Sequence, residues 1–456
     1  MTQPASRRRA WPALLLAGAL LVSGGLSGVA LGAAKDKPAK DKAQATPAAS
    51  PAPTPTPEPT PEPTPYPQFD PSTVTLRTDL LTSSLQDVVY LADDGVGSWC
   101  LYAVEKDGQV WLINRNDGFK TPREFLDLSG QVATGTEQGL HSIAFHPDFK
   151  SNGKFYAHYN RKRDGASVVA EFKGRPCKPA GKNGSKPVKG GIWVNESQPF
   201  INNNGGWIGF GPDGKLYVPL GDGGGPRPGD PDRLGQDPGT PLAKILRIAV
   251  DRKGGVARDN PYVKVNRKGK VTARGDFNPR TWVRGVRDPR RASFDRKTGD
   301  FWFGDAGQDH LGQPGWEEVN LVRAGSVKRQ AVPNFGWSEV EGADTCHPVN
   351  GIDCDPTAFT PPVFAYETRP GSAVTGGYVY RGRAIPELDG VYLFSDFTSG
   401  IVWGLDADAV YEGVEVTAHQ LLDAPQGFVS FGEDDDGELY LVALEGSIYR
   451  LGVEGR

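Results

Sequence analysis

The stretch that decides the fold is Asp213-Gly214-Lys215-Leu216-Tyr217, a glycine turn followed by an apolar segment that carries an aromatic residue. Asp-Gly and Asn-Gly favour tight hairpin turns, because both turn residues can adopt positive φ. The aromatic residue that follows is expected to pack on the inner face of a strand. Five similar stretches occur at residues 107–111, 152–156, 298–302, 389–392 and 436–440.

Working outward from these stretches, no long segment shows the 3.6-residue apolar period of a surface helix. Six unequally spaced hairpins within residues 72–456 predict an all-β fold, a six-bladed β-propeller. A β-sandwich is a poorer match, because this region is far longer than one sandwich and no linker divides it.

The N-terminal region has the composition of an export segment and a tether. Arg7, Arg8 and Arg9 precede an uncharged apolar run that ends in small residues near position 34. Residues 1–34 are therefore expected to be either a cleaved signal peptide or a retained membrane anchor. Residues 35–71, rich first in Lys and Ala and then in Pro and Thr, are expected to form a disordered, extended linker. We expect a secreted or cell-surface protein that touches the membrane only through its N-terminus.

Charge and cysteine content narrow the function further. The formal net charge of −4 is too small to suggest a nucleic-acid partner. Four cysteines in an exported chain favour two disulfides. Cys346 and Cys354 flank a short loop and are expected to pair, which leaves Cys100 with Cys177. A zinc site is the rival interpretation, but the sequence has no CxxC motif.

Several motifs resemble one known family. Residues 139–149, GLHSIAFHPDF, are similar to a segment of the glucose/sorbosone dehydrogenases, the soluble aldose dehydrogenases that use pyrroloquinoline quinone (PQQ). Further similar motifs follow in the same order: 205–206 (GG), 209–214 (GFGPDG), 220–224 (LGDGG), 244–248 (KILRI), 287–289 (RDP), 293–295 (SFD), 304–308 (GDAGQ), 316–320 (WEEVN), 334–337 (NFGW), 375–380 (TGGYVY) and 431–434 (FGED). The resemblance implies a six-bladed propeller that oxidises an aldose at C1, with PQQ and Ca²⁺ as cofactors and a separate electron acceptor.

The resemblance also implies catalytic positions. The family's catalytic His lies in an Asn-His-Asn-Gly-Gly segment, and Asn203 stands at that position here. An amide cannot take a proton from an alcohol. The acid that orients the His is retained as Asp222, and His141 is a candidate substitute base because it lies four residues after Glu137.

Cofactor and metal positions follow from the same resemblance. Glu137, Arg287 and Asp288 match residues beside PQQ, and Asp288 replaces an Asn and so adds a negative charge. The family's cationic clamp on the PQQ carboxylates is not evident near Thr398 and Gly427.

Two calcium positions are implied. Carbonyls at Gly307 and Gln308 match the ion over PQQ, and Glu318 with the carbonyl of Phe335 matches a structural ion. The alternative function is a non-catalytic, calcium-stabilised propeller that binds carbohydrate or protein.

Overall fold

The computed structural model describes residues 69–180, 186–225, 230, 232–308, 315–329, 331–346, 354–368 and 372–455. Every described residue belongs to one compact unit, which spans residues 65–456. The leader at 1–34 and nearly all of the linker at 35–71 lie outside the described residues and stay predictions. No helix within the described ranges has the length and apolar character needed to span a membrane.

The described residues form six antiparallel sheets of four strands, the blades of a propeller, and the predicted fold class is confirmed. A strand that completes the last blade comes first: β1 (Leu76–Thr82). Blade one contains β2 (Val88–Asp93), β3 (Cys100–Glu105), β4 (Gln109–Asn114) and β5 (Arg123–Asp127). Blade two contains β6 (Leu140–Phe145), β7 (Lys154–Asn160), β8 (Ser167–Lys173) and β9 (Lys186–Glu196). Blade three contains β10 (Gly209–Phe210), β11 (Leu216–Leu220), β12 (Lys244–Ile248) and, after the ribbon β13 (Val263–Val265) and β14 (Val271–Ala273), β15 (Thr281–Arg284).

The remaining elements complete the ring. Blade four contains β16 (Arg291–Phe294), β17 (Phe301–Asp305), β18 (Trp316–Val322) and, after the ribbon β19 (Val340–Glu341) and β20 (Thr345–Cys346), β21 (Phe364–Glu367). Blade five contains β22 (Val374–Val379), β23 (Val391–Asp396), β24 (Ile401–Asp406) and β25 (His419–Asp423). Blade six contains β26 (Phe428–Glu433), β27 (Leu439–Ala443), β28 (Ile448–Val453) and the returning β1. The α-helices are the short α1 (Phe149–Asn152) and α2 (Ala407–Tyr411).

The ring closes because the first strand pairs with the last. Leu76 lies opposite Val453 and Thr82 lies opposite Ile448, so β1 completes blade six. Each end of the chain segment is thereby held by hydrogen bonds to the other, and blade six has its full set of four strands.

The hairpin stretches mark the blades, with one difference in position. Five of the six lie between the first and second strands of a blade, as at Asp213-Gly214 between β10 and β11. Asp107-Gly108 instead connects the second and third strands of blade one, β3 and β4. The first turn of that blade spans residues 94–99 and uses Gly95 and Gly97 at positive φ. The turn stretches therefore predict the number of blades correctly. In blade one, however, the turn lies one strand later than in the other blades.

Aromatic residues after the turns fill the space within and between blades. Phe155, Tyr156, Trp302 and Tyr392 are fully buried. The rings of Trp302 in blade four and Tyr392 in blade five stack with centroids 4.6 Å apart. The second strand of each blade thus supplies apolar contacts that join neighbouring blades.

The first strands of the blades lie innermost and pack against one another around a central tunnel. These strands all run in the same direction, so their amino ends meet at one mouth and their carboxyl ends at the other. A cavity of about 470 Å³ opens at the amino ends and is lined by residues such as Glu137, His141 and Val374. A second cavity of about 300 Å³ opens at the carboxyl ends beside Asp93 and Glu433.

Both predicted disulfides are present. Cys100 at the start of β3 pairs with Cys177, which follows β8, across 77 residues. Cys346 pairs with Cys354 across eight residues. The first bond therefore joins blade one to blade two, whereas the second closes a local loop.

We expect the two bonds to stabilise the fold unequally. In the chain-entropy account, a 77-residue separation gives about 4.5 kcal/mol, against about 2.5 kcal/mol for a separation of eight. The double variant Cys100→Ala/Cys177→Ala should lower the urea midpoint more than Cys346→Ala/Cys354→Ala. Burial of Cys100 acts in the same direction. Equal midpoints for the two variants would contradict this expectation.

Candidate functional site

The site is built around the loop that precedes β10, which has an unusual backbone. Asn203 has φ of 51°, and Gly205 and Gly206 have φ of 74° and 154°. Asn is one of the few residues other than glycine that tolerate the left-handed region. A Cβ at Gly221 would lie 2.1 Å from the carbonyl oxygen of Asn203, so only glycine permits the two loops to approach this closely. The conformation of this loop is thus fixed by close backbone packing.

The structure brings Asn203 and Asp222 together. Asn203 Nδ2 donates a hydrogen bond of 3.0 Å to Asp222 Oδ1, which also accepts from the amide of Gly224 at 2.8 Å. The other oxygen, Asp222 Oδ2, accepts from the indole of Trp337 at 2.9 Å. Burial raises the pKa of Asp222 to about 6, although Arg287 acts against the shift. Asp222 therefore fixes the side chain of Asn203, the residue that the resemblance predicts at the position of the family's base.

Asp288 does not place an uncompensated charge beside this loop, contrary to the concern raised by its replacement of Asn. Arg290 Nε donates to Asp288 Oδ2 at 2.7 Å, and its Nη2 pairs closely with Glu137 Oε2. The two acids also accept loop amides, Asp288 from Gly205 at 3.0 Å and Glu137 from Asn203 at 2.8 Å. The pKa of Arg290 is raised: burial acts against its charge, but Asp288 and Glu137 outweigh it. Arg290, which sequence reasoning missed, joins the two acids that hold the loop.

His141, the candidate substitute base, lies in the lining of the large cavity. Its Nε2 lies 2.6 Å from Asn160 Oδ1, so Nε2 donates and Nδ1 keeps its lone pair. Burial holds its pKa well below 6.5, with further lowering by His158, Arg291 and Arg290. His141 is thus neutral at physiological pH and able to accept a proton, but it is a weak base.

Arg287 donates a hydrogen bond to one of the carbonyl oxygens that were expected to bind calcium. Its Nη1 donates to the carbonyl oxygens of Ala306 at 2.6 Å and Gly307 at 2.7 Å. The guanidinium carbon lies 5.5 Å from the ring of Trp337. A divalent cation at the Gly307 carbonyl would face this positive charge, so the arrangement does not suit calcium there unless Arg287 moves.

The two predicted calcium positions converge on one void. Gly307, Glu318 and Phe335 line a small cavity of about 10 Å³, together with Asp305 and Glu341. A cavity of this size is about what a single water or ion needs.

Three buried carboxylates surround this void. Glu318 and Asp305 lie opposite each other on β18 and β17, and Glu341 accepts the Gln308 amide at 2.9 Å. Burial raises the pKa of Glu318, and repulsion from Asp305 and Glu341 raises it further. A proton or a cation would relieve the repulsion at Glu318, because like charges are unfavourable in a buried site. Sequence reasoning named Glu318 and missed Asp305 and Glu341; the signal for Asp305 was its place in the GDAGQ motif.

The large cavity also carries cations that sequence reasoning did not find. Lys106, Arg290 and Arg291 line it, whereas Glu137 is the carboxylate in the described lining. Positions near Thr398 and Gly427 do not supply these cations. Arg290 and Arg291 follow directly after the RDP motif, which was the available signal.

With this geometry in place, the chain can be compared with known families. The Glucose / Sorbosone dehydrogenase family model matches residues 91–450. The chain belongs to this family. Among curated proteins similar to this chain, HIPL1 protein of Arabidopsis thaliana is 28% identical over 404 residues. The match covers 72% of this chain and 55% of the relative. Hedgehog-interacting protein of Homo sapiens is 24% identical, covering 81% of this chain and 50% of the relative.

The chain thus spans only about half the length of these curated relatives. Among solved structures, a PQQ-bound aldose sugar dehydrogenase from Streptomyces coelicolor is similar with a TM-score of 0.61 and 21% identity. The similarity covers 83% of this chain and 98% of that one. This likeness supports the propeller fold.

The left-handed backbone at Asn203 gives a test of how the loop is held. Asn203→Ala should destabilise the protein more than Asn203→Gly by about 1 kcal/mol, because alanine is strained at positive φ and glycine is not. Both variants lose the hydrogen bond to Asp222, so their difference isolates the backbone strain. Urea unfolding of the two variants measures it. If alanine were as stable as glycine, the loop conformation would not be fixed as described.

Proposed function

We propose that this protein is an extracytoplasmic PQQ-dependent sugar dehydrogenase that oxidises an aldose at C1 and passes the electrons to a separate acceptor. The observation that carries the proposal is the cavity of about 470 Å³ at the amino ends of the inner strands, which is lined by Glu137 and His141. Family membership supports the same assignment. The N-terminal leader supports the location.

The charge of the cavity lining suits this cofactor. PQQ carries several carboxylates. In the described lining of the cavity, positively charged side chains outnumber carboxylate side chains. Glu137 and Arg290, which line the cavity, are residues that would hold it there, and Asp288 would hold Arg290 in place. When bound, PQQ supplies the group that accepts hydride from the sugar.

The protein must supply the proton acceptor. Asn203 cannot serve, because its amide has no basic nitrogen. We assign this role to His141, whose Nδ1 lone pair is available while Nε2 donates to Asn160. Its lowered pKa keeps it neutral, but it also makes proton transfer from a hydroxyl less favourable. The expected turnover is therefore slow.

Comparison of the wild type with Asn203→His tests this assignment. The full-length chain would be supplied with PQQ, Ca²⁺ and a panel of aldoses, and dye reduction and PQQ binding would be followed in the same samples. His tolerates positive φ and would lie beside Asp222, so Asn203→His should raise turnover by about 10²- to 10⁴-fold.

The matched variant His141→Ala should abolish wild-type turnover and leave that of Asn203→His largely intact. Failure of the wild type to bind PQQ would end the dehydrogenase proposal. Turnover that is unchanged by His141→Ala would remove His141 from the mechanism.

We also propose that Ca²⁺ binds between Asp305, Glu318, Glu341 and the carbonyl of Phe335. Calcium prefers several oxygen ligands, and these residues line one void. Arg287 lines the same void, so the ion would bind on the side of the carboxylates, away from the Gly307 carbonyl that Arg287 holds. An ion there would neutralise the buried acids and link β17 and β18 to the segment that follows blade four's third strand.

Calcium should therefore stabilise the fold. Adding Ca²⁺ at 100 times its Kd to chelator-treated protein should raise stability by about 2.7 kcal/mol. Glu318→Gln should reduce the shift in melting temperature, whereas Glu124→Gln, an exposed change in blade one, should not. A shift of the same size in both variants would place the ion elsewhere.

A non-catalytic binding propeller is the second candidate function. Two observations favour it. Asn203 is hydrogen-bonded to Asp222, and Arg287 is hydrogen-bonded to the Gly307 carbonyl that was expected to bind calcium. A relative is named as a Hedgehog-interacting protein, which suggests a protein partner for this candidate. PQQ binding without wild-type turnover, combined with turnover by Asn203→His, would favour this candidate over the dehydrogenase.

A further inference from the structure

Arg291 is a half-buried cation whose hydrogen-bond partners are all neutral. It begins β16, and its guanidinium donates to the carbonyl oxygens of Val89 and Arg290 and to Ser430 Oγ, the last at 3.1 Å. The ring of Tyr90 lies 5.6 Å from the guanidinium carbon. Across the described residues, no carboxylate forms an ion pair with Arg291. A buried charge without an opposite charge is unfavourable and is usually compensated.

Lys106 is a second cation of the same cavity with a neutral partner. Its Nζ donates to the carbonyl of Thr136 at 2.7 Å, and it lines the cavity together with Arg291. The carboxylate of the described lining, Glu137, is already paired with Arg290, which also pairs with Asp288. Among the described residues, neither Lys106 nor Arg291 is therefore held in an ion pair with a carboxylate.

We propose that Lys106 and Arg291 form a subsite for a carboxylate carried by the ligand of this cavity. The inference rests on the proposed function only in using the same cavity. Guanidinium and ammonium groups form charge-assisted hydrogen bonds with carboxylates, and such bonds are the stronger kind. The carboxylate can belong to the cofactor or to a sugar acid such as a uronate, and the experiment separates these sources.

The protonation state of Arg291 is consistent with this subsite. Burial lowers its pKa to about 10, with a further lowering by the neighbouring charge of Arg290. Arg291 therefore remains charged at neutral pH and carries its charge into the cavity before a ligand binds. A bound carboxylate would supply the missing opposite charge.

The experiment compares ligands that differ only in their carboxylates. Glucuronate is matched with glucose, and PQQ is matched with its trimethyl ester. Binding to the full-length protein would be measured by calorimetry at two salt concentrations. The acid of at least one pair should bind at least tenfold more tightly than its neutral partner, with the difference reduced at high salt.

Variants then locate the subsite. Lys106→Gln and Arg291→Gln should each weaken binding of that acid by about tenfold or more and leave the neutral partner unchanged. Lys150→Gln, an exposed change on α1, serves as the control. Because Arg291 makes three hydrogen bonds inside the fold and its replacement could unfold the protein, Lys106→Gln provides the independent test.

The possible results decide both the subsite and its ligand. Selective binding of glucuronate assigns the carboxylate to the sugar, and selective binding of PQQ assigns it to the cofactor. Equal binding of acid and neutral partners, or equal loss of both in Lys106→Gln, would overturn the subsite. If PQQ binds and neither variant weakens the binding of PQQ or of glucuronate, the dehydrogenase stays intact and only this inference is removed. Selective glucuronate binding without PQQ binding would do the reverse.

Discussion

Ring closure is the constraint on which the rest of the structure depends. The pairing of β1 with β28 joins residues 76–82 to residues 448–453, across almost the whole domain. Once the ring is closed, the innermost strands of all blades are held side by side, and their amino ends meet at one mouth of the tunnel. Residues from distant parts of the sequence, such as Glu137 and Arg290, come into contact only because of this geometry.

The site is organised by the need to balance buried charges, and the protein meets that need in three ways. Arg290 is compensated directly by Glu137 and Asp288. Asp305, Glu318 and Glu341 crowd around a void of about 10 Å³, where an ion would serve the same purpose. Arg291 and Lys106 have only neutral partners among the described residues, and they face the cavity. Some charges of the site are therefore neutralised by the protein itself, and others would be neutralised by a bound ligand or ion.

The loop at Asn203 combines a tightly held backbone with a side chain that cannot act as a base. The backbone has a left-handed turn with two glycines of positive φ, and Asp222 binds the side chain of Asn203. An amide has no basic nitrogen. The neighbouring His141 has the right residue type, but it is surrounded by Arg290, Arg291 and His158, which weaken it as a base. The backbone geometry at this site is therefore tightly fixed, whereas its capacity to accept a proton is weak.

The sequence by itself determined the features that depend on short segments. Asp-Gly and related turns set the number of blades, since a tight turn is encoded by two or three adjacent residues. They did not determine which strands each turn joins, and Asp107-Gly108 lies one strand later in its blade than the others. Motifs also identified Asn203, Asp222 and Glu318, because these lie within recognisable local patterns.

Only the tertiary structure decided which charges neutralise one another. Arg290 and Glu137 are 153 residues apart, and Arg287 binds carbonyls about 20 residues away. The joining of two expected calcium positions into one void depended likewise on the pairing of β17 with β18 and on the ribbon that carries Glu341. Charges interact through space rather than along the chain, so no local pattern in the sequence could assign these partners.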